Sequence, residues 1–288
     1  MKTILKLCRI HQYPKNLFVM LPLFFSGNLL EPERLWPAVW TMVAFCLIAS
    51  GVYIFNDWMD IDLDKQHPVK KYRPLANGSW IQPYAFFLMI FLLIVGCLIA
   101  YWVNWSVLLI CGLYIVLMVF YSVILKHLAV VDLLMIGVAY ILRLLAGAFA
   151  ANVSLSPYIV MMTFFLALFL GLGKRHHEFL YCQEKNIPTR PALAGYSARL
   201  FDIATAIVMA LIIVEYFMYT VLSHSPAAMK SSYLYLTTFF VIGGSMRYLQ
   251  LIYVKKSAED PAFLLFHDRI LLVTVLAWAV SLGVILYG

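Results

Sequence analysis

Apolar residues run in long blocks along this chain, each closed by a short polar or basic segment, and they do not alternate as a half-buried strand would. Blocks long enough to cross about 30 Å of hydrocarbon fall at nine places: 17–30, 35–55, 83–102, 105–124, 130–150, 157–173, 199–222, 231–254 and 270–287. The first is short and broken by Pro22. The pattern predicts an all-α integral membrane protein, a bundle of nine transmembrane helices in one domain over residues 1–288. The interrupted first block has no small-residue cleavage site after it, so the start of the chain is expected to remain in place.

Composition agrees: 64% of residues are hydrophobic and 12% charged, against about 45–50% and 25% in a soluble domain. Cys8, Cys46, Cys97, Cys111 and Cys182 stand singly, most of them inside apolar blocks, and read as small apolar side chains, not as disulfides or ligands. Lys and Arg gather on alternate connections. Lys2, Lys6, Arg9 and Lys15 precede the first block, and Lys65 to Arg73, Lys126, Lys174 to Arg199, and Lys255 to Arg269 follow the even-numbered ones. The other side has only Arg34 and Lys230. The basic side is therefore expected to be cytoplasmic, with the N-terminus inside and the C-terminus external, in a cell membrane. Two cytoplasmic connections are long, at 56–82 and 174–198, and loops of that length in a compact bundle usually carry function. The basic residues lie in separate loops with no continuous stripe, which argues against nucleic acid.

The densest cluster is "YIFNDWMDIDLDKQHPVKKYRPLANG", beginning at Tyr53. If the second helix continues past Phe55 for two turns, Asp57, Asp60 and Asp64 share a face, with Asn56 beside them. Three carboxylates on one face repel one another unless a cation lies between them. Oxygen-only ligands suit a hard ion, and Mg²⁺ held by carboxylates completes its shell with water or phosphate oxygens. Asn56, Asp57, Asp60 and Asp64 are thus candidate ligands for Mg²⁺ and a diphosphate. A calcium loop starting at Asp60 fails, because Lys65 and Lys71 occupy the positions that need Gly and Glu. His67, Lys70, Lys71 and Arg73 offer donors for phosphate oxygens that the metal leaves uncovered.

Further polar groups flank other blocks on the same side: Lys15 and Asn16 in "RIHQYPKN", Tyr121 and Lys126 in "YSVILK", and Lys174, Arg175 and Glu178 in "GKRHHE". Lys174 and Glu178 are spaced as a helix pair. His176 and His177 are neighbours that point about 100° apart on a helix, which disfavours a shared ion. Arg143, Glu215 and Arg247 fall inside predicted spans, where ionisable groups are costly. Asp132 and Arg143 are three turns apart on one helix face, spaced to line a common cavity.

The N-D-x-x-D-x-x-x-D at 56–64, the Y-x-x-x-x-K at 121–126 and the charged motif after the sixth block resemble the UbiA superfamily of intramembrane prenyltransferases. That resemblance implies nine helices around a central cavity, and two Asp-rich motifs that bind a prenyl diphosphate through Mg²⁺. The second motif departs: Lys174, Arg175 and Glu178 stand where D-x-x-x-D is expected. With "HQYPKN", "DKQHPVKKYRP" and "GKRHHE", the departure is similar to the decaprenyl-phosphate phosphoribosyltransferase branch. This implies transfer of 5-phosphoribose from phosphoribosyl diphosphate to a polyprenyl phosphate, with diphosphate released, as a step towards cell-envelope polysaccharide precursors. Asp57, Asp60 and Asp64 then carry the chemistry, and Lys15, Asn56, Arg73, Tyr121, Lys126, Lys174, Arg175 and Glu178 contact substrates. Homo-oligomerisation is left open. Two alternatives stand beside it: prenyl transfer to an aromatic acceptor, which a second Asp pair would favour, and a lipid or ion transporter, which would concentrate charge at the midplane.

Overall fold

The computed structural model describes residues 2–66, 70–78, 81–185, 191–222, 233–254, 264 and 267–287. Every regular element among them is helical, and the chain divides into two compact units. The first comprises Met1–Leu23, Glu31–Lys126 and Leu142–Val153; the second comprises Phe24–Leu30, His127–Ile141 and Ser154–Gly288.

In the first unit, α1 (Lys2–Leu7) leads into a 3-10 helix (Ile10–Met20) and then into α2 (Leu21–Phe25), whose last two residues are counted with the second unit. The central element is α3 (Pro32–Met59), flanked by α5 (Gln82–Val103) and α6 (Trp105–Val123). Between α3 and α5 lie α4 (Ile61–Gln66) and a short 3-10 turn (Lys70–Tyr72). Helix starts follow local chemistry. Pro32 sits in the first turn of α3, where the missing N–H costs nothing, and the Asn104 side chain accepts from Ser106 N (2.8 Å) to cap α6. The second half of α7 (Val131–Ala151) completes this unit. There Arg143 is buried. It donates from Nε to Asn16 Oδ1 (2.8 Å) and from Nη2 to the Tyr114 hydroxyl (3.0 Å), and its guanidinium lies over the rings of Tyr114 and Phe45. The charge is thus lodged among amide, phenol and ring faces.

The second unit contains the first half of α7, then α8 (Pro157–Lys185), α9 (Ala198–Leu222), α10 (Thr238–Tyr253) and α11 (Arg269–Tyr287). Phe169, Leu172, Phe201, Ile212, Tyr248 and Leu251 form part of its core. Arg247 forks onto Asp268 (3.0 and 2.6 Å), and the same carboxylate accepts from Leu271 N (2.9 Å), tying α10 to the start of α11. The Tyr287 hydroxyl donates to Phe24 O (2.7 Å) and accepts from Leu29 N (3.4 Å). Asp132 and Arg143, expected to line one cavity, engage different partners in different units.

Seven helices among the described residues are long and apolar enough to cross a membrane: α3, α5, α6, α7, α8, α9 and α11. The chain is a multi-pass membrane protein. Two predicted spans take other forms. The block at 17–30 falls on the end of the 3-10 helix and the five residues of α2, because Pro14 and Pro22 remove backbone donors. A 3-10 coil rises about 2.0 Å per residue against about 1.5 Å in an α-helix, so this segment is longer along its axis than an α-helix of as many residues. The block at 231–254 is represented by a 3-10 turn (Leu234–Thr237) and α10, which has 16 residues. The two long loops also contain more helix than anticipated. α8 continues to Lys185, twelve residues past the predicted exit at 173, and 56–82 holds the end of α3, α4 and a 3-10 turn.

Close approach in the first unit depends on Gly147. A Cβ there would fall on the Val19 carbonyl oxygen and 2.7 Å from its carbon, whereas one at Gly112 meets nothing within 4 Å. Gly147→Ala should lower stability by about 1–3 kcal/mol or more, since a backbone carbonyl cannot rotate away as a side chain can. Gly112→Ala should change it by less than about 0.5 kcal/mol. Thermal unfolding of the detergent-solubilised variants checks both.

Candidate active site

The carboxylates singled out from the sequence gather at the end of α3. Asp57 is on its last turn, Asp60 caps it in the bridge region (φ −98°, ψ 5°), and Asp64 lies in α4. The helix therefore breaks at Asp60 instead of running on for two turns. The ladder is nearly continuous nonetheless, with Asp60 N on Asn56 O (3.1 Å) and Asp64 N on Asp60 O (2.8 Å). Asp57 and Asp64 consequently keep one face and are 3% and 4% exposed, too buried to be left uncompensated.

Each carboxylate meets a cation. Arg73 Nη1 bridges Asp57 Oδ1 (3.0 Å) and Asp64 Oδ2 (2.7 Å). Lys126, buried in the 3-10 turn Leu125–His127 after α6, pairs with Asp60 Oδ1 (2.5 Å), while Asn56 Nδ2 donates to Asp60 Oδ2 (3.2 Å). The third cation is Arg9, whose Nη2 also meets Asp57 Oδ1. Arg9 was missed as a site residue because it lies 48 positions from Asp57 among basic residues that topology alone explains. Asn56, Asp57, Asp60, Asp64, Arg73 and Lys126 are thus brought together. Lys15 is half-buried and donates to Gln12 Oε1, and Tyr121 is half-buried on the last turn of α6. Lys65 pairs with the exposed Asp62, an ordinary surface contact. His67 lies outside the described residues.

Among the described residues no three His, Cys, Asp or Glu side chains converge so as to hold a metal ion, because the carboxylates turn towards Arg and Lys. The donor set nevertheless fits a hard cation. It is oxygen-only, and Arg73 Nη1 already places positive charge between two buried carboxylates. Burial also pushes the Asp64 carboxyl above its usual range, outweighing the lowering by Arg73, with Asp57 and Asp60 adding to the rise.

In the second unit the motif 174–178 lies on α8. It stays helical because Gly171 and Gly173 pack instead of ending the helix; a Cβ on Gly173 would approach the Tyr248 hydroxyl to 2.8 Å. Lys174 is exposed. Arg175 is buried, and it pairs through Nε with Asp132 Oδ2 (3.0 Å) and through Nη1 with Glu178 Oε2 (2.9 Å). Tyr196 donates to Asp132 Oδ1 (2.9 Å) and accepts from Val130 N (2.7 Å), and its phenol is pushed well above the usual range, chiefly by burial. Asp132 and Tyr196 were not anticipated in this role. His176 stacks on Phe201 and lies against Tyr253, whereas His177 stacks on Tyr181, so the two imidazoles point to different surroundings.

The model of the UbiA prenyltransferase family matches residues 18–286. A decaprenyl-phosphate phosphoribosyltransferase of Mycolicibacterium smegmatis is 28% identical over 295 aligned residues, covering 99% of this chain and 92% of the relative. Another of that name from Corynebacterium glutamicum is 30% identical over 214 residues, 71% of this chain and 64% of the relative. Among solved structures, a UbiA homolog from Archaeoglobus fulgidus bound to DMAPP and Mg²⁺ superposes with a TM-score of 0.74 at 16% identity, covering 97% of this chain and 98% of that one. At that identity the likeness speaks for the fold.

Tyr196→Phe should lower stability by about 1–3 kcal/mol, because Val130 N and Asp132 Oδ1 both lose the hydroxyl in a buried setting. Denaturant unfolding of the solubilised protein against wild type is the measurement.

Proposed function

This chain belongs to the UbiA prenyltransferase family, and on that premise we propose that it transfers 5-phosphoribose from phosphoribosyl diphosphate to a polyprenyl (decaprenyl-type) phosphate. The observation that carries the reading is the unlike charge of its two motifs. One is a carboxylate cluster interleaved with Arg9, Arg73 and Lys126; the other has Lys174 and Arg175 where the family pattern expects a second acidic pair. A prenyl diphosphate donor with a neutral acceptor has one strongly anionic end, and two acidic metal motifs would serve it. Two phosphorylated substrates call for basic groups as well. The names of the Mycolicibacterium and Corynebacterium relatives support the same choice.

The reaction is a substitution at the anomeric carbon. An oxygen of the lipid phosphate forms the new bond to C1, and the C1–O bond to diphosphate breaks with its electron pair leaving on oxygen. The nucleophile is already an anion, so no strong base is required. What remains for the protein is alignment and exclusion of water. Asn56, Asp57, Asp60 and Asp64 would hold Mg²⁺, which when bound supplies neutralisation of the departing diphosphate. Arg73 and Lys126 face that cluster and would stabilise charge as it develops on phosphate oxygens. Lys15, Tyr121 and Lys174 are assigned to the remaining phosphate groups. Arg175 acts with Glu178 in fixing the α8 motif as well as in contacting substrate. The polar donor is a cytosolic metabolite that hydrocarbon excludes, so the site is assigned to the cytoplasmic face of the cell membrane, with the N-terminus inside and the C-terminus external.

The purified protein, given Mg²⁺, phosphoribosyl diphosphate and polyprenyl phosphate, should release diphosphate in step with formation of a sugar lipid. Prenylation of a hydroxybenzoate from a prenyl diphosphate would instead select the aromatic-acceptor reading. Asp57→Asn or Asp60→Asn should lower turnover on the order of 10²–10³-fold, the usual loss when one fixed charge on the transition state is removed. Lys174→Ala should impair transfer while thermal unfolding stays near wild type, and normal turnover in these variants would remove the site assignment.

A further inference from the structure

Arg9 was not among the site residues named from the sequence, and it stands outside the substrate contacts assigned above, yet the chain is bent to present it. α1 ends at Leu7, and Arg9 adopts a left-handed backbone (φ 49°, ψ 48°) before the 3-10 helix begins. That conformation is uncommon for a residue with a Cβ. It delivers the guanidinium over the ring of Tyr53, 5.0 Å from the centroid, with Nη2 on Asp57 Oδ1. The same oxygen already takes Arg73 Nη1 at 3.0 Å. Two guanidiniums therefore share one oxygen of a buried carboxylate, and the five N–H donors of Arg9 exceed what that oxygen takes up.

Asp57, Asp60 and Asp64 are matched by Arg9, Arg73 and Lys126, so the set is neutral as it stands. A divalent ion entering alone would compete with these cations for the same oxygens and leave them facing it. A diphosphate entering alone would face three carboxylates. Entering together, the metal takes the carboxylates and the cations it displaces find phosphate oxygens. A guanidinium is suited to that exchange, because its planar fork matches carboxylate and phosphate alike.

We propose that Arg9 is a diphosphate-binding residue, held by Asp57 and passed to a phosphate oxygen when a divalent cation takes that carboxylate. This rests on the reading of the Asp cluster as a metal and diphosphate site. It predicts opposite changes in two affinities from one substitution, which a merely structural counter-ion of Asp57 would not produce.

The test is calorimetric titration of the full chain in lipid nanodiscs, first with Mg²⁺ alone and then with inorganic diphosphate at saturating Mg²⁺. Arg9→Gln should bind Mg²⁺ alone several-fold more tightly, because a competitor is gone, and diphosphate about 10-fold more weakly, because a charge-assisted bond is gone. Arg9→Lys keeps the charge that Asp57 requires and so guards against a folding defect. It should lose about threefold in diphosphate affinity, with the fork and the ring contact removed. Unchanged diphosphate affinity in either variant, or parallel loss of both affinities, overturns the role of Arg9 alone. Absence of Mg²⁺-dependent diphosphate binding in the wild type overturns the site reading and this proposal with it.

Discussion

Carboxylates at the end of a membrane helix have lost most of their water, and in this chain their neutralisation by Arg and Lys is the constraint from which the first unit's local structure follows. Removing one partner of a buried ion pair typically costs about 3–5 kcal/mol, since the remaining charge is stranded. The three cations arrive from three separate stretches: Arg9 from the turn after α1, Arg73 from the turn after the 70–72 helix, and Lys126 from the 3-10 turn beyond α6. The carboxylates thereby gather these connections around the end of α3. Charge is not the whole of it: Arg9 and Arg73 also hydrogen-bond to the carboxylates, and Arg9 lies over the Tyr53 ring.

The second unit solves a similar problem with the signs reversed. Arg175 is the buried cation, and two carboxylates, Asp132 from α7 and Glu178 from its own helix, surround it. Tyr196 then fixes Asp132 and a backbone N–H with one hydroxyl, so the segment after 190 is fastened to the start of α7. Lys174, one residue earlier, is exposed. Neighbouring basic residues in one short motif therefore stand differently: Arg175 is buried between two carboxylates and Lys174 is exposed.

Much of this was readable from the residues alone. Apolar blocks gave seven of the nine expected spans among the described residues, because hydrocarbon tolerates no unpaired backbone and continuous helices satisfy it over that length. The Asp57, Asp60 and Asp64 face was legible from spacing, as was the nearness of cations to it for Arg73, nine residues from Asp64. Three features were not. The break at Asp60 follows from cap geometry that no local residue announces. The continuation of α8 to Lys185 was hidden because the apolar block ends at Gly173 and the residues after it are charged and polar, so no hydrophobic run marks the added turns. Arg9 meets Asp57, and Asp132 meets Arg175, across separations of tens of residues, and topology rules already gave Arg9 an adequate reason to exist. Long-range pairing leaves no periodic trace. One partial signal was available for Asp132: an acid in the first turn of an apolar helix favours that end, and a buried acid needs a cation.

The Tyr287 hydroxyl closes the segment between Phe24 and Leu29 from 258 residues downstream of Leu29. On a ribosome adding about 5–20 residues per second, the carbonyl of Phe24 and the amide of Leu29 are made roughly 10–50 s before that hydroxyl exists. The Phe24 carbonyl can meanwhile accept from the Gly27 amide (3.3 Å), so it is the Leu29 amide that must be satisfied by water or by the insertion machinery until then. The segment's native closure is a late event in biogenesis, set by the emergence of the final helix and not by the order in which the first ones are threaded.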